Sequence, residues 1–475
     1  MKQLKLKFKK SNLWVGILFF SLIFLLKIPF LNLPLHLDEI SFYGGVSTVL
    51  RNNFNPFVES WWGYHPPFIY ELAAIIEYFF GFSRIALRLM VLAFSFLTLW
   101  FTFLLGKTLF NREIGFMSAL LLFATPLFFV QSGLFHLAIP LASLSLMSLY
   151  FYFKNSRIGY FIAGSLLLLT KETGVFIIAA IALYELLKRE RRRKLFPVIK
   201  RLIFLSLPLV PFVIWLGLNK YFYDWFVWPI YKNFLFFSAN KPWQTGSIIE
   251  KISITFFFHW RWLISLALLV GIFSAIFNKK LRKKFWTQQF FFLFSLPLVV
   301  FLFFSPGLYL PRYILFVYPL LLIAFVFCLK ELVRKKQLYF LLVLLIVILF
   351  VRCWFNYPPK EVIWGGEMNL AYLDVVKAHQ AAADFLQRKY PNSRILTSDT
   401  MAIKFRNPIY GYVSEELNAY NAEKILERTE LLVIPSYLRV LPSTQRLLKL
   451  RDELNPPLLK VISFGGEEVL IYKLQ

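Results

Sequence analysis

The sequence has little of what builds disulfides or metal centres. It contains only two cysteines, Cys328 and Cys353, which fall in separate apolar runs. This usage predicts neither a structural disulfide nor a cysteine metal site. The five histidines and the few acidic residues form no cluster with convincing metal-ligand spacing. No cofactor is therefore predicted, although the sequence leaves a divalent metal open.

Acidic residues are scarce, and their distribution excludes one class of function. The chain has 26 Asp and Glu against 53 Lys and Arg, a net charge of +27. Residues 357–475 are nearly balanced, with 15 basic and 14 acidic side chains, so the excess lies between the apolar runs of the preceding part. Such a pattern is typical of membrane topology, and no nucleic-acid partner is predicted.

Apolar residues are abundant and occur in long runs. Hydrophobic residues make up 58% of the chain and aromatic residues 19%, and the mean hydropathy is +0.61. Runs of this length, separated by Lys and Arg clusters, predict a polytopic α-helical protein of the plasma membrane. No internal repeat is visible. We predict about eleven transmembrane helices: Leu13–Phe30 (uncleaved), Leu87–Gly106, Ile114–Val130, Ala138–Phe153, Ile158–Thr170, Gly174–Leu187, Leu202–Leu218, Ile254–Phe277, Phe290–Phe304, Tyr313–Leu329 and Leu338–Phe355.

The basic clusters and a change of composition predict orientation and domains. If the clusters stay in the cytoplasm, the N-terminus is cytoplasmic and the C-terminal tail is extracytoplasmic. Residues 1–355 then form the transmembrane domain, with 31–86 as its first outer loop. We place Pro66–Phe82 as a helix on the outer face or half inserted. For residues 356–475 the sequence predicts a small α/β domain on the extracytoplasmic side, with an amphipathic helix from Asp374 and four strands.

An acidic pair stands out in the stretch LHLDEISFYGG. Asp38 and Glu39 follow the first apolar run directly, and a charge close to lipid is costly unless it is paired or hydrated. The predicted topology places these acids on the outer face together with cations from distant segments. A carboxylate base and several cations suit transfer of a sugar from a lipid-linked phosphate. The cationic residues of the predicted outer face are His65, Arg84, Arg88, His136, Lys171, Arg261 and Arg312, the last followed by Tyr313.

A series of motifs in this order carries a family resemblance. An acidic pair after the first span is followed by HPP, then FFGFSRIALRL, LGKTLFNREIGFMSALLLFATPLF and LTKE, and the tail contains GEMNLAYLDVVKAHQAAADFL. The chain thus resembles membrane glycosyltransferases with a GT-C fold, in the protein O-mannosyltransferase and aminoarabinose-transferase superfamily. The resemblance spans most of the chain and implies inverting transfer from a polyprenyl-phosphate sugar to a lipid, glycan or protein acceptor on the extracytoplasmic face.

The resemblance also implies roles for individual residues. Asp38 matches the general base of the family, and Glu39 would be an orienting or substrate-binding neighbour. His65, Arg88, Lys171 and the pair Arg312-Tyr313 match its substrate-binding positions. One departure concerns the stretch FHLAIPL, where Ala138 occupies a place that many members fill with an acid. This departure puts a second acidic contact, and with it the usual acceptor, in question.

Simpler alternatives exist for each feature. The acids could only begin a helix, the arginines could only snorkel to the interface, Lys171 could only pair with Glu172, and His136 is interpreted as structural. A transporter or flippase of lipid-linked or charged solutes is the main rival function, and an assembly factor is a second. Transporters usually carry ionisable groups near the midplane and internal repeats, which this chain lacks.

Overall fold

The computed structural model describes residues 10–57, 65–187, 195–226, 247–307, 309–355, 367–421, 429–437, 439 and 442–474. The basic cluster predicted at Lys188–Lys194 and the start of the tail motif lie outside this part of the chain. The contacts divide the chain into two units. The first contains Met1–Leu31 and Phe42–Cys353, and the second contains Asn32–Ser41 and Trp354–Gln475. A short segment of the predicted first outer loop therefore folds with the C-terminal part.

The described residues of the first unit form helices joined by turns and loops. Its helices are α1 (Lys10–Lys27), α2 (Asp38–Arg51, whose first turn belongs to the second unit), α3 (Phe68–Phe80), α4 (Arg84–Leu109), α5 (Arg112–Ala124), α6 (Pro126–Gln131), α7 (Ala138–Phe153), α8 (Arg157–Thr170), α9 (Val175–Leu186), α10 (Leu195–Ser206), α11 (Leu209–Tyr223), α12 (Ile248–Ile252), α13 (Trp262–Phe277), α14 (Lys279–Phe285), α15 (Gln288–Phe304), α16 (Tyr318–Leu332) and α17 (Lys336–Arg352).

Helix α4 is the centre of the bundle. It packs against α1, α5 and α7, and most of its length is buried. Its crossing with α5 is close, because a Cβ added to Gly106 would lie 2.7 Å from the Cα of Gly115. Small residues allow helix backbones to approach in this way inside membrane bundles.

The outward faces of the bundle are apolar. Large side chains such as Trp14, Phe80 and Phe277 are 70–80% exposed. Exposed aromatic and aliphatic surface on this scale suits lipid rather than water. The molecule is a multi-pass membrane protein, as its sequence predicts.

Several predicted spans are shorter or more broken than a straight transmembrane helix. By length and hydropathy, two described helices, Asn12–Phe30 and Arg84–Leu109, could each cross a membrane alone. Three bent pairs could raise that number to five. The count of eleven spans therefore stays a prediction.

Three predictions of continuous helices were wrong, each for a local reason. The predicted span Ile114–Val130 breaks at Thr125, because Pro126 cannot continue the hydrogen-bonding of α5 and instead begins α6. The span Leu202–Leu218 bends by 52° beside Pro208. The span Ile254–Phe277 bends by 90°, where His259 and Trp260 adopt positive φ.

The second unit contains a five-stranded mixed sheet. The strands are β1 (Ile395–Thr397), β2 (Ala419–Asn421), β3 (Leu431–Pro435), β4 (Leu458–Phe464) and β5 (Glu467–Lys473), in the order β2-β1-β3-β5-β4. β1 pairs in parallel with β2 and β3, and β5 pairs antiparallel with β3 and β4. The four predicted strands are present, and β2 is an additional short one.

Three helices accompany this sheet: α18 (Tyr372–Lys389), α19 (Asp399–Arg406) and α20 (Pro442–Leu454). The amphipathic helix predicted from Asp374 corresponds to α18. Its apolar side, including Ala378, Ala382 and Leu386, packs in one buried cluster with Val433 and Ile471 from the sheet. The expected α/β character of the tail is confirmed.

Candidate functional site

The acidic pair forms the first turn of α2, within the second unit. The Glu39 side chain is completely buried, and its Oε2 accepts a hydrogen bond from the backbone N–H of His36 at 2.8 Å. Asp38 is partly exposed although both of these neighbours are buried. Acids are favourable at a helix N-terminus, and here the Glu39 carboxylate binds the backbone while Asp38 is the more exposed of the two.

In the first unit, His65 and Glu172 form a pair. His65 directly precedes Pro66 near the start of α3, and Glu172 lies in the short 3₁₀ turn between α8 and α9. The His65 Nδ1 lies 3.0 Å from the Glu172 Oε2, and both side chains are largely buried. The sequence suggested Lys171 as the partner of this carboxylate, and the structure gives it His65.

Lys171 and Arg312 lie close to the same elements. The Lys171 Nζ lies 4.9 Å from the centre of the Tyr313 ring, a cation–π distance. The neighbouring Arg312 places its Nη1 3.5 Å from the Nδ1 of His136. That nitrogen also lies 2.9 Å from the Oε1 of Gln131. Because an amide oxygen only accepts, the shorter contact makes Nδ1 a donor, and the Arg312 guanidinium is then a neighbour of the ring.

Phe42 lies between the His65–Glu172 pair and the Arg312–His136 contact. Its ring centre lies 6.3 Å from that of His65 and 5.8 Å from that of His136. Contacts and chain neighbours therefore form a closed circuit of side chains from five separate stretches of the first unit. We call this set the polar ring: Phe42, His65, His136, Lys171, Glu172, Arg312 and Tyr313.

The polar ring carries an excess of positive charge. Lys171 and Arg312 are cationic and partly exposed, whereas Glu172 is its single carboxylate and is already engaged by His65. Cations at the end of short helices, flanked by aromatic rings, form a suitable place for a phosphate.

Arg88 has a different environment from the rest. It is 1% exposed, and its Nη1 donates to the backbone carbonyls of Phe30 and Leu31 at 3.2 and 3.3 Å. Snorkelling to an aqueous interface does not describe such a buried side chain. These bonds hold the backbone just after α1 and give Arg88 a structural contribution, and phosphate contact by Arg88 stays a prediction.

Sequence reasoning missed three members of the polar ring, and Phe42 was not considered at all. His136 was interpreted as structural, and Glu172 was considered only as a partner of Lys171. A signal was present, because Gln131 and His136 are polar residues at a helix break in an otherwise apolar stretch. Within the described ranges, no group of three or more His, Cys, Asp or Glu could hold a metal ion.

The fold matches known glycosyltransferases over almost the full length of the chain. ArnT from Cupriavidus metallidurans in the apo state matches with a TM-score of 0.57 and 15% identity, covering 98% of each chain. The same enzyme bound to undecaprenyl phosphate matches with a TM-score of 0.55 and 14% identity, covering 97% of this chain and 98% of that one. This protein has the GT-C fold.

The chain also resembles a second solved enzyme and matches one family model over part of its length. The oligosaccharyltransferase AglB from Archaeoglobus fulgidus, in complex with an inhibitory peptide and a dolichol-phosphate, matches with a TM-score of 0.53 and 10% identity over 97% of this chain and 74% of that one. Residues 64–215 match the family model described as dolichyl-phosphate-mannose-protein mannosyltransferase. None of the curated proteins compared with the chain matches it by sequence.

The family match and the fold confirm the resemblance predicted from the motifs. The family model describes a mannosyltransferase over about a third of the chain, and the solved structures share the fold over nearly all of it. The family match covers four members of the polar ring, namely His65, His136, Lys171 and Glu172.

Proposed function

We propose that this protein transfers a sugar, with inversion, from a polyprenyl-phosphate donor to a hydroxyl of a lipid, glycan or protein acceptor outside the cytoplasm. The observation that carries the proposal is the polar ring, which brings cations from distant parts of the sequence together in a membrane fold of the GT-C type. The proposed orientation has a cytoplasmic N-terminus and an extracytoplasmic C-terminal unit, and it follows from the basic clusters of the sequence.

The cations of the ring would act on the phosphate of the donor. As the bond between the anomeric carbon and the phosphate oxygen breaks, negative charge grows on the departing polyprenyl phosphate. Lys171 and Arg312 would neutralise that charge, and His65, oriented by Glu172 at 3.0 Å, would assist them. Preorganised charge in a site with little water is usually the largest contribution to this kind of catalysis. Tyr313 would orient Lys171 through its ring.

Asp38 would serve as the general base. It would take the proton from the acceptor hydroxyl while the hydroxyl oxygen attacks the anomeric carbon from the face opposite the phosphate. The products are the glycosylated acceptor, the polyprenyl phosphate and a protonated Asp38 carboxyl group. Glu39 would keep the backbone in place through its bond to the N–H of His36. Base catalysis of this type typically contributes about 10²–10⁴-fold.

Similar folds with lipid phosphates support the choice of donor. The ArnT structure that matches this chain holds undecaprenyl phosphate, and the AglB structure holds a dolichol-phosphate. An enzyme in the membrane can bind such a donor while its prenyl chain stays in the bilayer and its phosphate lies at the boundary with water.

The test is transfer by the purified protein. It would be incubated with a panel of radiolabelled polyprenyl-phosphate sugars and a membrane extract, and labelled acceptors would be isolated. Asp38→Asn should abolish transfer and leave membrane insertion intact. Asp374→Asn is the matched control, because Asp374 is also a partly exposed acid in the first turn of a helix of the second unit.

Two outcomes would contradict the proposal. Near-normal transfer by Asp38→Asn would remove Asp38 as the base. Movement of the labelled donor across proteoliposomes without any labelled acceptor would favour a flippase instead.

A further inference from the structure

The segment before the acidic pair is attached to the C-terminal unit. Asn32–Ser41 groups with Trp354–Gln475, although the sequence places it between α1 and the rest of α2. We call Leu35–Glu39 the acid segment. Its attachment to residues so distant in sequence requires specific contacts, and several are present.

Two contacts join the acid segment to the C-terminal unit directly. The backbone N–H of Leu35 donates to the carbonyl of Tyr410 at 2.9 Å. The His36 ring is completely buried, with its centre 5.5 Å from the ring of Tyr372 and 5.8 Å from the ring of Tyr437. The imidazole thus contacts two phenol rings, and tilted aromatic pairs of this kind are stabilising.

Hydrogen bonds to the start of β5 fix the backbone at Tyr437 and the side chain of Ser436. The Tyr437 backbone N–H donates to the Oε1 of Glu467 at 2.9 Å. The Oε2 of Glu467 accepts from the Ser436 hydroxyl at 2.7 Å, and that hydroxyl oxygen accepts from the N–H of Glu468 at 2.8 Å. The backbone of Tyr437 is therefore fixed by hydrogen bonds that involve the buried carboxylate of Glu467, at the start of β5.

The acid segment contains a strained residue just before Asp38. Leu37 has φ +42°, a left-handed conformation that is costly for a side chain with a Cβ. It persists because both flanks are held: the N–H of Ile40 donates to the Leu37 carbonyl at 3.0 Å, and Glu39 binds the N–H of His36. Backbone strain of about 1–3 kcal/mol survives only where the surroundings impose it, and it concentrates at functional positions.

We infer that the C-terminal unit sets the position of Asp38, and that His36 and Tyr437 are positioning residues for the transfer reaction. The aromatic clamp holds His36, the strained Leu37 turns the chain, and the partly exposed Asp38 begins α2 directly before the buried Glu39. The inference rests on the proposed function for the role of Asp38, and the clamp itself rests on the contacts alone.

Amide hydrogen exchange of the full-length protein in detergent tests the clamp independently of activity. Tyr437→Ala should speed exchange in peptides that cover residues 33–41 by about tenfold or more, because the amides lose their fixed support. Tyr437→Phe keeps the ring against His36 and should exchange more slowly in these peptides than Tyr437→Ala does. Tyr390→Ala is the matched control, since Tyr390 packs on Phe385 in the same unit and should leave these peptides unchanged.

Kinetics test the positioning role. Tyr437→Ala should lower kcat by about 10–100-fold with the donor KM within threefold, because a small displacement of a catalytic group costs rate rather than binding. Tyr437→Phe should restore kcat. Leu37→Gly provides a variant that folds readily, since glycine accepts positive φ. The added backbone freedom of glycine should nevertheless speed exchange in residues 33–41 and lower kcat.

The outcomes separate the two proposals. Wild-type exchange at residues 33–41 in both Tyr437→Ala and Leu37→Gly would overturn the clamp. Faster exchange with unchanged kcat, in a protein that Asp38→Asn inactivates, would overturn the positioning role. Full activity of Asp38→Asn would instead refute Asp38 as the base and leave the exchange result to decide the clamp.

Discussion

Single residues carry the chemistry proposed for this protein, and their neighbours decide what each can do. Lys171 and Glu172 are adjacent in the sequence, yet Lys171 lies over the Tyr313 ring and Glu172 binds His65. A cation–π contact, unlike an ion pair, does not neutralise the charge of the lysine. Sequence adjacency alone would have suggested that the two charges cancel.

The first prediction concerns Lys171. Replacing it by methionine removes one charge from the polar ring, and transition-state stabilisation of the departing phosphate should fall. We expect kcat/KM for the donor to drop by about 10²-fold, with partial recovery in Lys171→Arg. The measurement is steady-state transfer with a polyprenyl-phosphate sugar. Lys220→Met, which removes a lysine paired with Asp224, should behave as the wild type; equal losses in both variants would refute the assignment.

A second prediction at this scale concerns Lys404, which is completely buried in the second unit. Its Nζ lies 3.1 Å from the Nδ1 of His379, and desolvation lowers the pKa of Lys404 from 10.5 to about 7 despite the raising effect of Glu467. Burial also lowers the pKa of His379 and raises that of Glu467. Between pH 7 and 10.5 the unfolded state then binds more protons at Lys404 than the folded state does, so stability should increase with pH in this window.

Thermal unfolding of the purified protein checks this sign. The contribution of Lys404 should be about 1 kcal/mol per pH unit above pH 7. Lys404→Met has a similar volume and no titrating group, so its unfolding temperature should rise less with pH than that of the wild type. Parallel curves for the two proteins would show that Lys404 does not titrate in this window.

At the scale of elements, the apolar pattern predicted most helices and failed where they break. The strands of the tail and helix α18 were predictable because local alternation and helical spacing report which side is buried. The breaks near Pro126 and Pro208 carried a local signal in the proline itself. The right-angle bend at His259 and Trp260 had none, because a run of aromatic residues does not reveal positive φ.

A prediction at this scale concerns the crossing of α4 and α5. Gly106→Ala would place a Cβ 2.7 Å from the Cα of Gly115, so the helices must separate. Overpacking of this kind should destabilise the protein by about 1–3 kcal/mol. Gly217→Ala in α11 is the control, because a Cβ there meets nothing within 4 Å, and this change should stabilise by about 0.5–1 kcal/mol. Thermal unfolding in detergent measures both, and the prediction fails if Gly106→Ala is neutral.

At the scale of the whole molecule, the polypeptide forms two units that do not follow the order of the sequence. The C-terminal unit includes Asn32–Ser41, so the acidic pair belongs with a domain that begins more than 300 residues later. The GT-C fold of the full chain agrees with that of ArnT over nearly its entire length. The direction in which the protein crosses the bilayer is a separate property that the basic clusters predict.

Labelling of single cysteines tests this orientation. In a background with Cys328 and Cys353 replaced by serine, Glu415→Cys in the C-terminal unit should react with an impermeant maleimide applied to intact cells. Lys283→Cys, in an exposed part of a basic helix, should react only after the cells are permeabilised. The reverse pattern would place the C-terminal unit in the cytoplasm and contradict the proposed function.

The sequence by itself determined the class of this protein. Apolar runs and basic clusters reflect the cost of burying charge in lipid, and the motifs consist of neighbouring residues. Both kinds of feature can therefore be recognised from the sequence alone. These features were sufficient to predict a helical membrane protein with an α/β tail and a GT-C resemblance. They also identified Asp38, Lys171 and Arg312 as candidates.

Only the tertiary structure decided which of these residues meet. The circuit through Phe42, His136 and Tyr313 joins stretches far apart in sequence, and the aromatic clamp on His36 comes from residues more than 300 positions later. Such contacts depend on how helices and strands pack in three dimensions, and no local pattern encodes them. The same packing imposes the left-handed backbone at Leu37, a conformation that its own side chain disfavours.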